Sequence, residues 1–423
     1  MEETGKPLGR LEALLEAERC LYCFDAPCEK VCPANVPIPE FIHSIKTNNL
    51  QGAREIIEVA HPLIETCGRL CPEESFCQSV CARVKIDSPI KIRELHRYVT
   101  DNTEPSRNLI IPVRNKGRVA IVGGGPAGLS CARELGRLGF ETVIFEKKEL
   151  GGIPMQQVSN VRFPEKIGKR EVRFINDNFV TEVKDKKVQS VKDIGNGFDA
   201  IFIATGLQGE LDLDVKGTNL KGIYNASELL KLARASIKTP VGRRVGVIGG
   251  GNVAVEVATV LKQENSERDV ELVYRRSLKE LKAFKDEINE AVNVGVTMQF
   301  LAIPVEIKGA DSVTGIVVRR SRLSKPDASG RRNFEEIPDS DFFIPFDTIV
   351  IAIGQKLADY FPEIEKTERG LIKVDDNLMT STKGVFAGGD IVRGASTIVE
   401  SVADGKKAAS SILNFSNGGE KNV

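Results

Sequence analysis

The sequence contains no tryptophan and only three histidines among its 423 residues. None of the three stands in a Ser/His/Asp or Cys/His constellation, so the machinery of nucleophilic hydrolysis is missing. Net charge is missing too, because 59 basic residues balance 59 acidic ones. No global field therefore favours nucleic acid or an anionic membrane. The chain has no apolar run of the roughly 18 residues a membrane helix needs. Its start, Met1–Glu16, is charged and helix-like rather than a signal peptide. A soluble, cytoplasmic protein is expected, without low-complexity segments and long enough for two or three domains with proper cores.

Cysteine is what the sequence does have, crowded at one end. Eight of the nine fall between Cys20 and Cys81, as Cys20-x2-Cys23-x4-Cys28-x3-Cys32-Pro33 and Cys67-x3-Cys71-Pro72-x4-Cys77-x3-Cys81. Thiolates this close together, two of them followed by proline, are what iron–sulfur clusters need. In a reducing compartment such groups hold metal more often than disulfides. Two structural zinc sites are the alternative, less suited because zinc ligand sets usually show paired C-x2-C spacing. Cys131 stands alone in a later helix as a small packing residue. Without a second redox dithiol, the disulfide-reductase class is disfavoured.

Residues 1 to about 100 read as short helices between cysteine loops: a Leu11, Leu14, Leu15 stripe, an Ile/Phe-rich helix opened by Pro39, and another at about Gly52 to Ala60. Asp101–Lys116, with Pro105 and Pro112, reads as a linker. From Arg118 the pattern becomes β-α-β: Val119–Val122, a glycine turn, a helix to Gly139, then Thr142–Phe145. The same unit returns as Arg244–Ile248, a glycine turn, a helix to about Gln263, then Val270–Tyr274. Short β-branched segments between Phe300 and Phe346 predict antiparallel strands. The predicted fold class is α/β plus a helical N-terminal iron–sulfur domain, with two doubly wound Rossmann-like domains, the second inserted in the first. The expected boundaries are 1–115 for two [4Fe–4S] clusters, 116–235 with 345–423 for a discontinuous FAD domain, and 236–344 for NAD(P)H.

Gly123-Gly124-Gly125-Pro126-Ala127-Gly128 is G-x-G-x-x-G after a strand and at the opening of a helix. Gly123 permits the turn, Gly125 lets a pyrophosphate approach, Gly128 lets helix and strand pack, and the helix start offers free amides. Glu146 closes the next strand, where a carboxylate can accept from a ribose diol. Gly151-Gly152 and the later Gly388-Gly389-Asp390, followed by Ala395-Ser396-Thr397 and a helix through Lys407, point to FAD, whose ribityl hydroxyls Asp390 and that helix start could hold. The second loop, Gly249-Gly250-Gly251-Asn252-Val253-Ala254, has alanine at the packing position. Its second strand ends in Tyr274-Arg275-Arg276, with Lys282 beyond. Cations there suit the 2′-phosphate of NADPH, with NADH possible and a solvated basic patch as the bland reading. Ala204-Thr205-Gly206 and Ala352-Ile353-Gly354 end apolar strands, as segments crossing between the two domains would. Cofactors would carry the reaction, pairs of electrons from nicotinamide to flavin and single electrons to iron.

Together these residues resemble the glutamate synthase small subunit and the N-terminal half of dihydropyrimidine dehydrogenase, a flavin–iron–sulfur family. The large subunits of NADH-dependent ferredoxin:NADP oxidoreductases are similar as well. The likeness runs from Cys20 to about Ala409. It is most specific in the cysteine groups, in Gly151-Gly152 through Val161-Arg162-Phe163-Pro164, and in Gly388–Asp390 through Thr397–Gly405. The resemblance implies interleaved ligation: Cys20, Cys23, Cys28 and Cys81 on one [4Fe–4S] cluster; Cys32, Cys71, Cys77 and a non-cysteine residue on the other. Family members place Glu or Gln at that eighth position, which the register matches to His96; Glu94 and Cys67 are the alternatives. It implies Arg162 at FAD, and Asn252, Arg275, Arg276 and Lys282 at NADPH. His43 and His61 match no family role.

The function expected from this is an electron-input oxidoreductase subunit of a hetero-oligomer. NADPH would reduce FAD, and the clusters would feed a catalytic partner subunit or ferredoxin-like acceptor, since no amidotransferase-like or barrel-sized substrate segment is present. The alternative is a self-sufficient or electron-bifurcating NAD(P)H:acceptor oxidoreductase. A cluster-bearing sensor or scaffold would show an impaired flavin loop, and both glycine fingerprints are complete.

Overall fold

The computed structural model describes residues 7–106, 110–326 and 332–418. The first six residues of the charged start, 107–109 of the predicted linker and 327–331 of the predicted antiparallel strands lie outside them. Two compact units form. The first comprises the chain to Met155, Asn160–Gln208 and Leu357 onward; the second comprises Gln156–Ser159 and Gly209–Lys356.

The first unit begins with six helices: α1 (Arg10–Glu18), α2 (Pro27–Val31), α3 (Ile38–Lys46), α4 (Leu50–Ala60), α5 (Ile64–Leu70) and α6 (Ile92–Asp101). In α3, Ile38, Phe41, Ile42 and Ile45 recur at helical spacing and are buried; fully burying each contributes roughly 1.5–3 kcal/mol. The leucine stripe of α1 turns the other way. Ala13, Glu16 and Ala17 are buried while Leu11 and Leu15 are exposed. Glu16 is drawn inward because its Oε1 accepts the Lys91 N–H at 2.9 Å and the Arg19 guanidinium at 2.6 Å.

A parallel sheet follows in the same unit, built from β1 (Arg118–Val122), β2 (Glu141–Glu146), β3 (Glu182–Asp185) and β4 (Ala200–Ile203). With the late strand Val385–Ala387 its order is Val385–Ala387, β4, β1, β2, β3. Val119 pairs with Thr142 on one side and Ala200 on the other. Apart from the exposed edge strand β3, these strands are buried nearly end to end, as two helical layers require. Helix α7 (Pro126–Arg137) leaves the first glycine loop; α8 (Ile153–Gln156) and α9 (Glu165–Phe179) follow β2.

The second unit has its own parallel sheet. Its strands are β6 (Ile223–Asn225), β7 (Arg244–Gly249), β8 (Asp269–Tyr274), β9 (Thr297–Phe300) and β13 (Thr348–Ala352), in the order β6-β13-β7-β8-β9. Helices α10 (Ala226–Arg234), α11 (Asn252–Glu264) and α12 (Lys285–Asn293) cover it. The expected antiparallel strands are β10 (Ala302–Gly309), β11 (Val313–Pro326) and β12 (Arg332–Ile344). A short pair, β5 (Gly209–Glu210) with β14 (Gln355–Lys356), stands where the chain enters and leaves the unit. Back in the first unit, β15 (Val385–Ala387) leads to α13 (Asp390–Arg393) and α14 (Ile398–Ser416). Among the described residues no helix is long and apolar enough to cross a membrane.

Candidate functional site

Cys20, Cys23, Cys28 and Cys81 line one cavity, together with Ala26, Pro27, Ile38, Ile42 and Ile92. The loop around Cys23 is tightly wound, with Tyr22 and Asp25 both in the left-handed region at φ 48° and 59°. Burial pushes the Cys28 thiol up to about 12, the Cys20 and Cys81 thiols adding to it. Cys32 is not among the residues lining that cavity. It adds to the burial that raises Cys71 to about 12, and both Cys32 and Cys28 are among the groups that raise Cys77. All nine cysteines are free thiols. Thiols ringing an apolar cavity suit a larger, sulfide-bridged group, and deprotonating them is work the bound metal does.

His96 lies on α6, its ring centroid 6.1 Å from that of Phe41. Burial lowers it to about 3, with Arg54 and Arg69 adding to the effect. The imidazole is therefore neutral, the ligating form, and its Nε2 is buried without a partner. Glu94 Oε2 is also buried and unpartnered, and the Cys67 thiol, raised by burial, lies near Cys71 and Cys32. Of the three predicted candidates for the eighth ligand, Cys67 thus stands beside the second thiol group, and α6, which carries Glu94 and His96, reaches that group through Arg93, which donates to Cys71 O at 3.3 Å.

The first glycine loop is shaped by contact. A Cβ on Gly128 would lie 1.9 Å from Gly123 O, and one on Gly123 would lie 2.5 Å from Ala204 O. Gly123 also has φ +104°, so glycine is required twice over. Gly152 Cα packs on Gly125, bringing the predicted Gly151-Gly152 turn onto the loop. Glu146 Oε2 accepts the Gly124 N–H at 2.8 Å and its Oε1 accepts the Lys148 N–H at 3.0 Å; each oxygen keeps a lone pair for a ribose hydroxyl. Thr205 Oγ1 is buried without a partner. Asp390 accepts from Ser396 N at 3.1 Å and Ser396 Oγ at 2.6 Å, and burial raises its carboxyl. Asp404, 2% exposed, accepts from Gly389 N and from both ends of the Arg393 guanidinium. Thr397 caps α14 in a box with Glu400, worth about 1 kcal/mol. Arg162 is half-buried. Pro126 and Ala127 open α7, and a Cβ on Gly405 would lie 2.3 Å from Ala127 O. An open helix start, a carboxylate at the strand end and an unpartnered hydroxyl fit a dinucleotide.

The second loop repeats the device. Gly249 has φ +155°, and a Cβ on it would lie 2.3 Å from Ala352 O. A Cβ on Gly250 would strike the Tyr274 ring, whereas one on Gly251 would meet nothing within 4 Å. Ala254 is fully buried at the packing position. Asn252 Oδ1 accepts the Phe284 N–H at 3.0 Å, and Lys282 N donates to Gly250 O at 2.9 Å, so the residues after β8 fold back over the loop. Of the basic residues, Arg276 is buried while Arg275 and Lys282 are exposed. Arg276 is 5% exposed with Nε unpartnered, whereas Arg275 lies with its guanidinium 4.6 Å from the Phe334 ring centroid. Lys282 and Val253 are exposed. Gly354, at φ +128°, accepts from Leu211 N at 3.1 Å.

The sequence reading missed a polar joint inside the first unit, between the cysteine helices and the flavin-side helices. Glu171 on α9 accepts Glu65 N at 2.6 Å, Thr66 N and the Thr66 hydroxyl, capping α5 from another element. Glu65 is fully buried and pairs with Arg54 at 3.1 Å and Arg170 at 2.7 Å. Arg133 donates to Val59 O, and Lys406 Nζ donates to Ala34 O at 2.7 Å and Ala60 O at 2.6 Å. His61, assigned no role from sequence, is fully buried here. No local signal marks these residues, because each partner lies far away in the chain.

Comparison with known proteins follows this division. Residues 117–405 match the pyridine nucleotide-disulphide oxidoreductase family, and residues 1–108 match dihydropyrimidine dehydrogenase domain II, 4Fe-4S cluster. The NAD-dependent dihydropyrimidine dehydrogenase subunit PreT of Escherichia coli K12 is 32% identical over 99% of this chain and 98% of its own length. The NADPH glutamate synthase small chain of Halomonas elongata is 30% identical over 98% and 93%. The beta subunit of the NADP(+)-dependent formate dehydrogenase of Moorella thermoacetica is 35% identical over 92% of this chain, which spans 59% of that subunit's length. Among solved structures, Mycobacterium tuberculosis FprA in complex with NADPH superposes with a TM-score of 0.62 at 19% identity, over 72% of this chain and 85% of its own.

Proposed function

We propose, because the chain belongs to the pyridine nucleotide-disulphide oxidoreductase family and carries a dihydropyrimidine dehydrogenase-type 4Fe-4S domain, that it is the NADPH-using electron-input subunit of a hetero-oligomeric oxidoreductase. The bound groups would supply hydride transfer from NADPH to FAD and one-electron transfer through two [4Fe–4S] clusters to a partner subunit. This chain's residues hold and orient them. Gly123, Gly125 and the start of α7 receive the FAD pyrophosphate, Glu146 the ribose, and Asp390 with the Ser396–Thr397 helix start the flavin end. Gly250, Gly251 and Asn252 receive the second dinucleotide, and Arg276 with Arg275 and Lys282 its 2′-phosphate. Cys20, Cys23, Cys28 and Cys81 hold one cluster; Cys32, Cys71, Cys77 and His96 hold the other.

The observation that carries this reading is the placement of Cys81, last of the second sequence group, on the cavity of the first. Relatives named as small chains, beta subunits and dehydrogenase subunits support a partner as acceptor. The test is a serine scan read by electron paramagnetic resonance (EPR) on anaerobically reduced protein. Cys81→Ser should alter the same cluster signal as Cys20→Ser, and Cys32→Ser and Cys71→Ser should alter the other. Cys81→Ser falling with Cys71→Ser would overturn the assignment.

A further inference from the structure

His61 ends α4 and is 1% exposed. Its Nδ1 accepts the Leu63 N–H at 3.0 Å, so that nitrogen bears no proton and the neutral ring carries its hydrogen on Nε2. Nε2 is buried and has no partner. An orphaned donor in an apolar interior costs about 1–3 kcal/mol, which calls for a partner absent from the polypeptide itself.

The surroundings indicate where that partner belongs. Leu63, whose N–H the His61 ring accepts, caps the start of α5, the helix carrying Cys67 and leading to Cys71. Lys406 joins Ala34 O to Ala60 O, the residue before His61, and senses the Cys32 thiol. His96, whose Nε2 is likewise buried and unpartnered, lies within electrostatic reach of His61. Lys406 therefore brings the Cys32 segment beside the residue preceding His61, and the His61 ring anchors the start of the helix that leads to Cys71.

We infer that His61 donates an Nε2–H hydrogen bond to a sulfur of the second cluster, a bridging sulfide or a ligating thiolate, and so raises that cluster's reduction potential. A hydrogen bond to cluster sulfur withdraws negative charge and stabilises the reduced state. His61 is a positioning and tuning residue rather than a ligand, and the inference rests on the two-cluster reading above.

The test is an EPR-monitored redox titration of the anaerobic holoprotein beside His61→Phe and His61→Asn. Asparagine keeps an acceptor for Leu63 N and is too short to reach the sulfur, so it guards against misfolding of the phenylalanine variant. Both variants should retain both clusters and make one of them about tenfold harder to reduce, about 59 mV for one electron, leaving the other unmoved. Pulsed electron–nuclear double resonance should detect an exchangeable proton coupled to that cluster in the wild type and not in the variants. Unchanged midpoints with both clusters intact would overturn the inference. So would conversion of the second cluster to another type, which would make His61 a ligand. A wild type holding a single cluster would instead defeat the underlying reading.

Discussion

Gly123 is pressed against Ala204 O and Gly249 against Ala352 O, with 2.5 and 2.3 Å to where a Cβ would stand, so the two dinucleotide loops share one backbone solution. They differ in what the neighbouring strand delivers. After β2 a buried carboxylate, Glu146, turns onto the loop amide of Gly124. After β8 an aromatic ring covers Gly250, and a buried guanidinium, Arg276, keeps Nε free. On the proposed reading, the glycines set the approach of a pyrophosphate, and the residues at or just past the end of the second strand select the nucleotide.

The largest expected effect falls on the helix-packing position. Gly128→Ala places a methyl 1.9 Å from Gly123 O, backbone that cannot yield, and should cost about 3 kcal/mol or more. Protein purified from this variant should lack bound flavin. Ala254→Gly in the other loop should cost only about 1 kcal/mol by helix propensity. Full flavin content in Gly128→Ala would break the comparison.

Next is nucleotide choice. Replacing Arg275 and Arg276 with glutamine should weaken NADPH about a hundredfold, since bonds to a charged phosphate are worth about 1.5–3 kcal/mol each. NADH should change little. Equal losses in equilibrium binding would remove the 2′-phosphate assignment. Glu146→Gln should have a smaller effect, replacing one acceptor oxygen by a donor and weakening FAD about tenfold, read by flavin-release titration.

The smallest effect concerns surroundings, because only the first loop shares its unit with the cysteine helices. Burial, aided by the charge of Glu65, raises the Glu171 carboxyl above its ordinary 4.5. Between that value and its raised one the folded protein holds more proton than the unfolded, so stability should fall as pH rises through this interval. Melting temperature should decline accordingly above pH 4.5, and Glu171→Gln should flatten the decline. An unchanged slope would show that other groups set it.

Both β-α-β units and their glycine loops were legible in the sequence because their rules are local: alternation, a turn, an acid or a cation a fixed distance on. The leucines of α1 marked a helix correctly yet not its buried face, which Glu16 decides through Lys91. Glu171 and Thr66, which lie 105 residues apart, read as ordinary helix polar residues until the fold joins them. His61 was passed over for the same reason, its meaning lying in Leu63, His96 and Lys406 around it. Proximity of Cys81 to Cys20 came from the family resemblance, since spacing alone groups Cys81 with Cys77.

The most direct measurement adds NADPH anaerobically to the flavin- and iron-loaded chain without any partner and follows visible absorption together with EPR. Bleaching of the flavin band accompanied by the signal of a reduced [4Fe–4S] centre is the predicted result. A bleached flavin beside iron that stays oxidised under excess NADPH would contradict it.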